Sequence, residues 1–313
     1  MTSVAIKRGD GFGYQLAARM ITQTLCDIDG REYHHNKITI ADRKHIKDQA
    51  CLDFLYEQIT GEKNITAQEA DIHYTNWVGY VKEQHQSKRK VSPMFDRSMF
   101  SKYSGYFLKN NSKYNCFGSR EKQQIVIHVR RGDLIEQDYG RCLDDSVYID
   151  MISDLFDKHN IAPDEYDIHI ETDSPDMVLQ LADNLKAHVN TVSSHHTSIC
   201  SHPIKNVDHN EWRVVIGMLQ SLYNMASCDF FIPSRSSFSV IGGLLGDSKI
   251  VTNRIKPAWK KPVNTLYPVT REYMNLSEDV DRIKFKVYWL HYLPIVEMSS
   301  INTVDAVHKI RKN

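Results

Sequence analysis

No stretch of this sequence approaches the roughly 18 uninterrupted apolar residues that a membrane-crossing helix needs. The richest late run, residues 287–296, is shorter and is broken by His291 and Pro294. Net charge is lacking too. Lys+Arg and Asp+Glu both total 39, so the formal charge is zero, a poor match for a protein whose main task is coating nucleic acid. The six cysteines (Cys26, Cys51, Cys116, Cys142, Cys200, Cys228) show no C-x-x-C spacing, which argues against zinc ribbons and dithiol redox chemistry. The N-terminal residues enter a strand-like run without an apolar leader, so the expectation is a cytoplasmic protein with reduced thiols and no membrane span. Glycosylation-type triplets at Asn64, Asn110 and Asn275 then read as coincidence.

Metal-ligand patterns are also scarce. His34–His35 and His195–His196 are adjacent pairs, whose side chains point to opposite faces of a strand, and neither fits zinc spacing. Asp27/Asp29 follows an expected helix end and Asp279/Asp281 falls in an expected helix, so both read as solvated surface. No metal site is assigned.

What is present is an alternation of strand-like and helix-like segments. The chain has 313 residues, 41% hydrophobic and 25% charged, enough for two domains of ordinary size. Strands are expected at 3–7, 32–36, 125–129, 167–171, 188–192, 229–233 and 249–252. Helices are expected at 14–26, 41–58, 147–159, 175–186, 211–226 and 240–245, with helical pieces around 67–86 and 94–108. This order predicts parallel sheets with helical crossovers. The best boundary is near Lys122.

Ligands of such sheets gather at the carboxyl ends of strands. Three segments fall there. The first, HVRRGD at 128–133, releases two guanidinium groups from a buried strand. Arginine's rigid donor fork suits phosphate oxygens, with Asp133 placed to hold one arginine still. A solvated charge cluster is the plainer reading of two arginines alone. The second, SRSSFS at 234–239, leads into a helix rich in small residues, where hydroxyls and free N–H groups make an anion site or simply cap the helix. The third, the turn at 9–13, is neither a dinucleotide fingerprint nor a phosphate loop. It serves either close backbone approach to a ligand or a tight turn. Glu171 and Asp173 end another strand, where a carboxylate can accept from a base or ribose or cap the next helix.

Together these segments resemble a known family. His128, Arg130, Arg131 and Asp133 match the H-x-R-R-x-D motif of the fucosyltransferase superfamily, which groups the α1,2- and α1,6-fucosyltransferases, the rhizobial nodulation enzyme and the protein O-fucosyltransferases. SSFS at 236–239 resembles the S-S-F-S-W-W-G-A segment of the α1,2 enzymes, GFGYQL at 11–16 their G-x-G-N-Q-L turn, and ETDSP at 171–175 the A-T-D-D-P segment of the α1,6 enzymes. The sequence departs from these patterns at Tyr14, in place of Asn, and at Val240 and Ile241, in place of paired tryptophans, which leaves linkage and sugar open.

The resemblance implies a GT-B architecture, two Rossmann-like α/β domains facing across a cleft. Residues 1–122 would form the acceptor side and 123–275 the nucleotide-sugar side, with a helical tail over 276–313 able to pack back on the first domain. It implies an inverting, metal-independent transferase moving fucose from GDP-fucose to a hydroxyl of a glycan acceptor, with no cofactor beyond that donor. Arg130 would bind the β-phosphate, with Arg131 assisting or structural. His128 and Asp173 would meet guanine or ribose, and Ser236, Ser237 and Phe238 would line the diphosphate, with Gly11, Phe12 and Gly13 close by. The base would be Glu136 or Asp138, with Asp10 a third candidate. Two alternatives stay open: the same scaffold using another nucleotide sugar, and a non-catalytic sugar-nucleotide- or glycan-binding protein.

Overall fold

The structure is a computed structural model. It describes residues 3–6, 12–39, 46, 48–65, 70–74, 94–96, 100–117, 121–131, 142–162, 164–191, 209–234, 236–246, 248–250, 274–275, 283–290 and 293–300. These form an α/β protein with parallel sheets.

The N-terminal third begins with β1 (Ser3–Ile6), α1 (Phe12–Asp29) and β2 (Glu32–Tyr33). Then come α2 (Gln49–Thr60), β3 (Ile72–Tyr74), β4 (Met94–Asp96) and α3 (Ser101–Asn110). Strand β1 lies between β2 and β3, parallel to both. Helix α2 shows why such a segment forms. Asp48 accepts the Ala50 N–H at 2.8 Å as N-cap, and Gly61 ends the helix in the left-handed region at φ 75°. Between them Cys51, Leu52, Leu55, Tyr56 and Ile59 make one buried stripe at helical spacing.

The second part contains β5 (Gln123–Val129), α4 (Asp145–His159), β6 (Tyr166–Thr172), α5 (Leu179–Leu185) and β7 (His188–Thr191). It continues through α6 (His209–Ser227), β8 (Phe230–Ile232), α7 (Ser237–Leu244) and β9 (Lys249–Ile250). The sheet order is β7-β6-β5-β8-β9, with all pairs parallel. The chain therefore adds strands outward on one side of β5, then returns to add them on the other. The reversal falls between β5 and β8, and in open parallel sheets a reversal of this kind leaves a crevice beyond the carboxyl ends of the two strands.

Strand β5 is buried from its second residue on, as expected for a strand covered on both faces. Ile125, Ile127 and Val129 join a core with Tyr148, Ile152 and Leu155 of α4 and Leu181 of α5. Val126 joins the opposite core, built with Leu219 and Leu222 of α6 and Ile241 and Leu244 of α7. That core is continuous with Leu16 and Met20 of α1, Leu55 and Ile59 of α2 and Phe107 of α3. The N-terminal helices are thus packed on the helical layer of the second sheet.

Several expectations are corrected. Helix α1 starts two residues earlier and ends later than the 14–26 window, so Asp27 and Asp29 lie in its last turn. The helical piece expected around 67–86 contains β3, where backbone pairing with β1 prevails over local propensity. The piece expected over 94–108 is divided between β4 and α3. The largest change concerns the tail. Instead of a helix, its described part is β10 (Met274–Asn275) and the antiparallel pair β11 (Ile283–Leu290) and β12 (Leu293–Ser300), with β11 also pairing antiparallel to β4. The alternation in IKFKVYWL is a strand signal that a helical reading overlooks. Asp279 and Asp281 lie outside the described residues. Asn64 is buried, bonding Ile38 O and Asp53 through its amide, which leaves no room for a glycan on it in the folded chain. Among the described residues, no helix is long and apolar enough to cross a membrane.

Candidate active site

The crevice at the reversal point is flanked by the end of β5, which delivers His128, Arg130 and Arg131, and the end of β8, which delivers Ser234 and then α7. These two ends are adjacent because β5 and β8 are paired, although His128 and Ser239 are 111 residues apart in the chain.

His128 is sealed at 2% exposure. Its Nδ1 lies 2.7 Å from Ser234 Oγ and 2.6 Å from Ser239 Oγ, and the two hydroxyls are 3.1 Å apart. Ser239 Oγ also accepts the Ser234 N–H at 3.1 Å. Burial drives the His128 pKa down to about 4, with Asp173 opposing and Arg130 reinforcing that shift, so the ring is neutral at physiological pH. Its ring sits 5.7 Å from that of Phe238. The histidine therefore clasps the start of α7 to the end of β5. Ser236 Oγ accepts the Phe238 N–H at 3.2 Å and is the N-cap of α7.

The two arginines diverge. Arg130 keeps 25% of its side chain exposed, and its Nε lies 3.0 Å from Asp173 Oδ2. The other oxygen of Asp173 accepts the backbone N–H of Arg131 at 3.0 Å. One carboxylate at the end of β6 thereby holds both arginines in register. The Arg131 guanidinium turns into the protein, donating to Met177 O at 2.5 Å and Leu143 O at 3.4 Å and pairing with Asp145 at the start of α4. Asp145 is its described carboxylate partner; Asp133 lies outside the described residues.

Glu171 does not face the crevice. It is fully buried, and its oxygens accept Ser221 Oγ at 2.5 Å and Asn224 Nδ2 at 2.8 Å, tying α6 to β6. Asn224 Oδ1 in turn accepts the Cys116 N–H at 3.2 Å, which anchors the segment leading into β5.

Gly13 and Phe12 lie in the first turn of α1 rather than in a turn before it. A Cβ on Gly13 would come within 3.3 Å of Phe238 N. The glycine brings the start of α1 against the start of α7, a close approach between two helices of the protein. The sheet order and this contact bring together Phe12, Gly13, His128, Arg130, Arg131, Asp173, Ser236 and Phe238. The backbone of Ser237 opens α7. Asp10, Gly11, Glu136 and Asp138 lie outside the described residues. Ser234 and Ser239 belong to the serine-rich segment marked in the sequence, which gave them no individual role. Asp145 carried no signal there.

Chemically, the arrangement offers a partly exposed guanidinium with a fixed Nε, one strand away from a capped helix start. That is a constellation suited to an oxyanion. Among the described residues, no group of three or more His, Cys, Asp or Glu could hold a metal ion.

Among the solved structures that match the chain are two of the NodZ alpha-1,6-fucosyltransferase. One was soaked with GDP-fucose and is 13% identical, with a TM-score of 0.40, covering 83% of this chain and 98% of that one. The other was co-crystallised with GDP and is 12% identical, with a TM-score of 0.34, covering 80% and 95% respectively. No family model and no curated protein matches the sequence.

Proposed function

We propose that the crevice between β5 and β8 binds the diphosphate of a GDP-sugar, and that the chain is an inverting fucosyltransferase using GDP-fucose. The observation that carries this reading is Arg130, a partly exposed guanidinium fixed by Asp173 at the strand-order reversal, beside the capped start of α7. The H-x-R-R-x-D resemblance supports GDP-fucose as the donor. In this reading Arg130 and the N–H groups of α7 stabilise charge developing on the departing GDP. The bond from the anomeric carbon to the phosphate oxygen breaks as an acceptor hydroxyl attacks the opposite face. A carboxylate takes the hydroxyl proton, with Glu136, Asp138 and Asp10 as candidates.

His128 acts by positioning in this scheme, because its Nδ1 is committed to Ser234 and Ser239. Asp173 likewise acts through the two arginines. Residues 1–122 serve the acceptor and 123–275 the donor, in a two-domain GT-B arrangement that requires no metal.

A thermal-shift panel of nucleotides tests the proposal, since a ligand of the native state raises its apparent stability. GDP should raise the melting temperature, and UDP and CMP should not. Arg130→Ala should remove the GDP response together with transfer of fucose from GDP-fucose. A GDP response that persists in Arg130→Ala contradicts the assignment, and no response in the unmodified chain contradicts the donor.

A further inference from the structure

Arg19 lies within α1, on a helix otherwise buried through Leu16, Ala17, Ala18 and Met20, and it is only 3% exposed. None of its three guanidinium nitrogens has a hydrogen-bond partner, and among the described residues no carboxylate forms an ion pair with it. One face is covered by the Tyr56 ring, whose centroid is 4.2 Å from Arg19 Cζ. Stacking satisfies that face but supplies no acceptor for the five N–H groups, which lie in the guanidinium plane.

The surroundings do not neutralise the charge. Glu62 is the carboxylate of this cluster, but its Oε1 is 2.6 Å from Lys102 Nζ, and its Oε2 accepts the Tyr56 hydroxyl at 3.4 Å. Glu62 is held first by Lys102, and Arg19 acts on it only more weakly and without a hydrogen bond. Burial, then the nearby Arg19 cation, lowers the His35 pKa to about 4, so that ring adds no compensating charge and is neutral at pH 7. Its Nδ1 is also buried without a partner. Tyr33, Tyr56 and Tyr103 complete the wall, and burial raises the pKa of all three hydroxyls, so none is a counter-ion. Asp27 lies near Lys102 at the exposed end of α1. A buried water can accept from N–H groups, but it carries no charge to set against a sequestered cation.

The geometry points to a second anion site, separate from the β5–β8 crevice, in which an oxyanion of the carboxylate or phosphate type binds in the plane of the Arg19 guanidinium with His35 as a further polar contact. The guanidinium fork presents two parallel N–H groups to two oxygens of such a group. The Lys102–Glu62 pair marks the side open to solvent, since Lys102 keeps 63% and Glu62 24% of their side chains exposed.

The test is a titration of the intact chain with sodium phosphate, sulfate or acetate against sodium chloride of equal ionic strength, followed by melting temperature. The Arg130→Ala background removes the crevice as a source of response. A saturable rise in melting temperature is expected in that background, and its relative size for acetate and for phosphate or sulfate identifies the oxyanion class. Arg19→Met should abolish the rise and, without added oxyanion, melt above the parent, because the uncompensated charge is gone. A rise that survives Arg19→Met, or no saturable rise in the parent, overturns the inference. If Arg19→Met does not fold, Arg19→Lys keeps the charge without the fork and should weaken the anion at least tenfold; unchanged affinity would also overturn it. Because the Arg130→Ala chain is the reference, the result is independent of whether the crevice binds GDP.

Discussion

Arg131 commits its guanidinium to Met177 O, Leu143 O and Asp145, linking the end of β5 to α4 and to the turn before α5. Arg130 makes its Nε contact with Asp173 and keeps a quarter of its side chain in solvent. Truncation of the two should therefore act on different observables. Arg131→Ala removes charge-assisted bonds from a largely buried side chain, so urea unfolding should show a loss of roughly 2–3 kcal/mol. Arg130→Ala removes one charge-assisted contact and leaves Asp173, itself 8% exposed, still accepting the Arg131 N–H, so it should cost less, about 1–2 kcal/mol, while losing nucleotide binding. Equal stability losses in the two variants would refute this division of roles. Sequence placed both arginines at the strand end. It did not distinguish them, because the partners that do so lie 12 to 46 residues away.

At the scale of elements, the contact of α7 with α6 sets where the serine-bearing loop sits. A Cβ on Gly246, just past α7, would stand 1.8 Å from Ala226 O, and one on Gly242 would stand 2.9 Å from Met225 Cβ. The Gly246 obstacle is backbone and cannot rotate away. Gly246→Ala should therefore destabilise by about 3 kcal/mol, at the upper end of overpacking costs. Because the α7 start is clasped by His128, this variant should also weaken GDP binding. A Gly246→Ala chain with unchanged urea midpoint and nucleotide affinity would show that the approach is looser than drawn. The glycines were visible in sequence as part of a small-residue helix, but their purpose was not. What they accommodate is a helix packed alongside, and periodicity within α7 carries no trace of it.

For the molecule as a whole, three histidines, His128 and His169 buried and His35 partly so, share one response to acid. His35, His128 and His169 each have a pKa lowered from 6.5 to about 4, with burial the largest cause in every case. Between those values the unfolded chain binds more protons than the folded one. Their contribution to stability is therefore complete above about pH 6.5 and is lost progressively as the pH falls towards 4. Melting temperature should decline across that window, and His128→Gln should reduce the slope by removing one of the three titrations. A flat profile between pH 6.5 and 4.5 would contradict the burial of these rings.

Short-range chemistry in the sequence was sufficient to place β5, β6 and α6, and to mark His128, Arg130 and Ser236 as residues at strand or helix ends. Apolar runs, helical periodicity and capping residues act within a few positions, so they are readable from the chain alone. The tail over 283–300 is a different case, because β11 and β12 pair with each other as a hairpin along their whole length and the alternation in β11 is a local strand signal, while only its contact with β4 joins distant segments. Tertiary structure decided the rest. It turned Glu171 inward onto α6, gave Asp173 to the two arginines, brought Gly13 against Phe238, and left Arg19 buried with no ion-pair partner among the described residues. Each of these depends on which segments pack together in three dimensions, and that follows from burying the apolar faces of all elements at once.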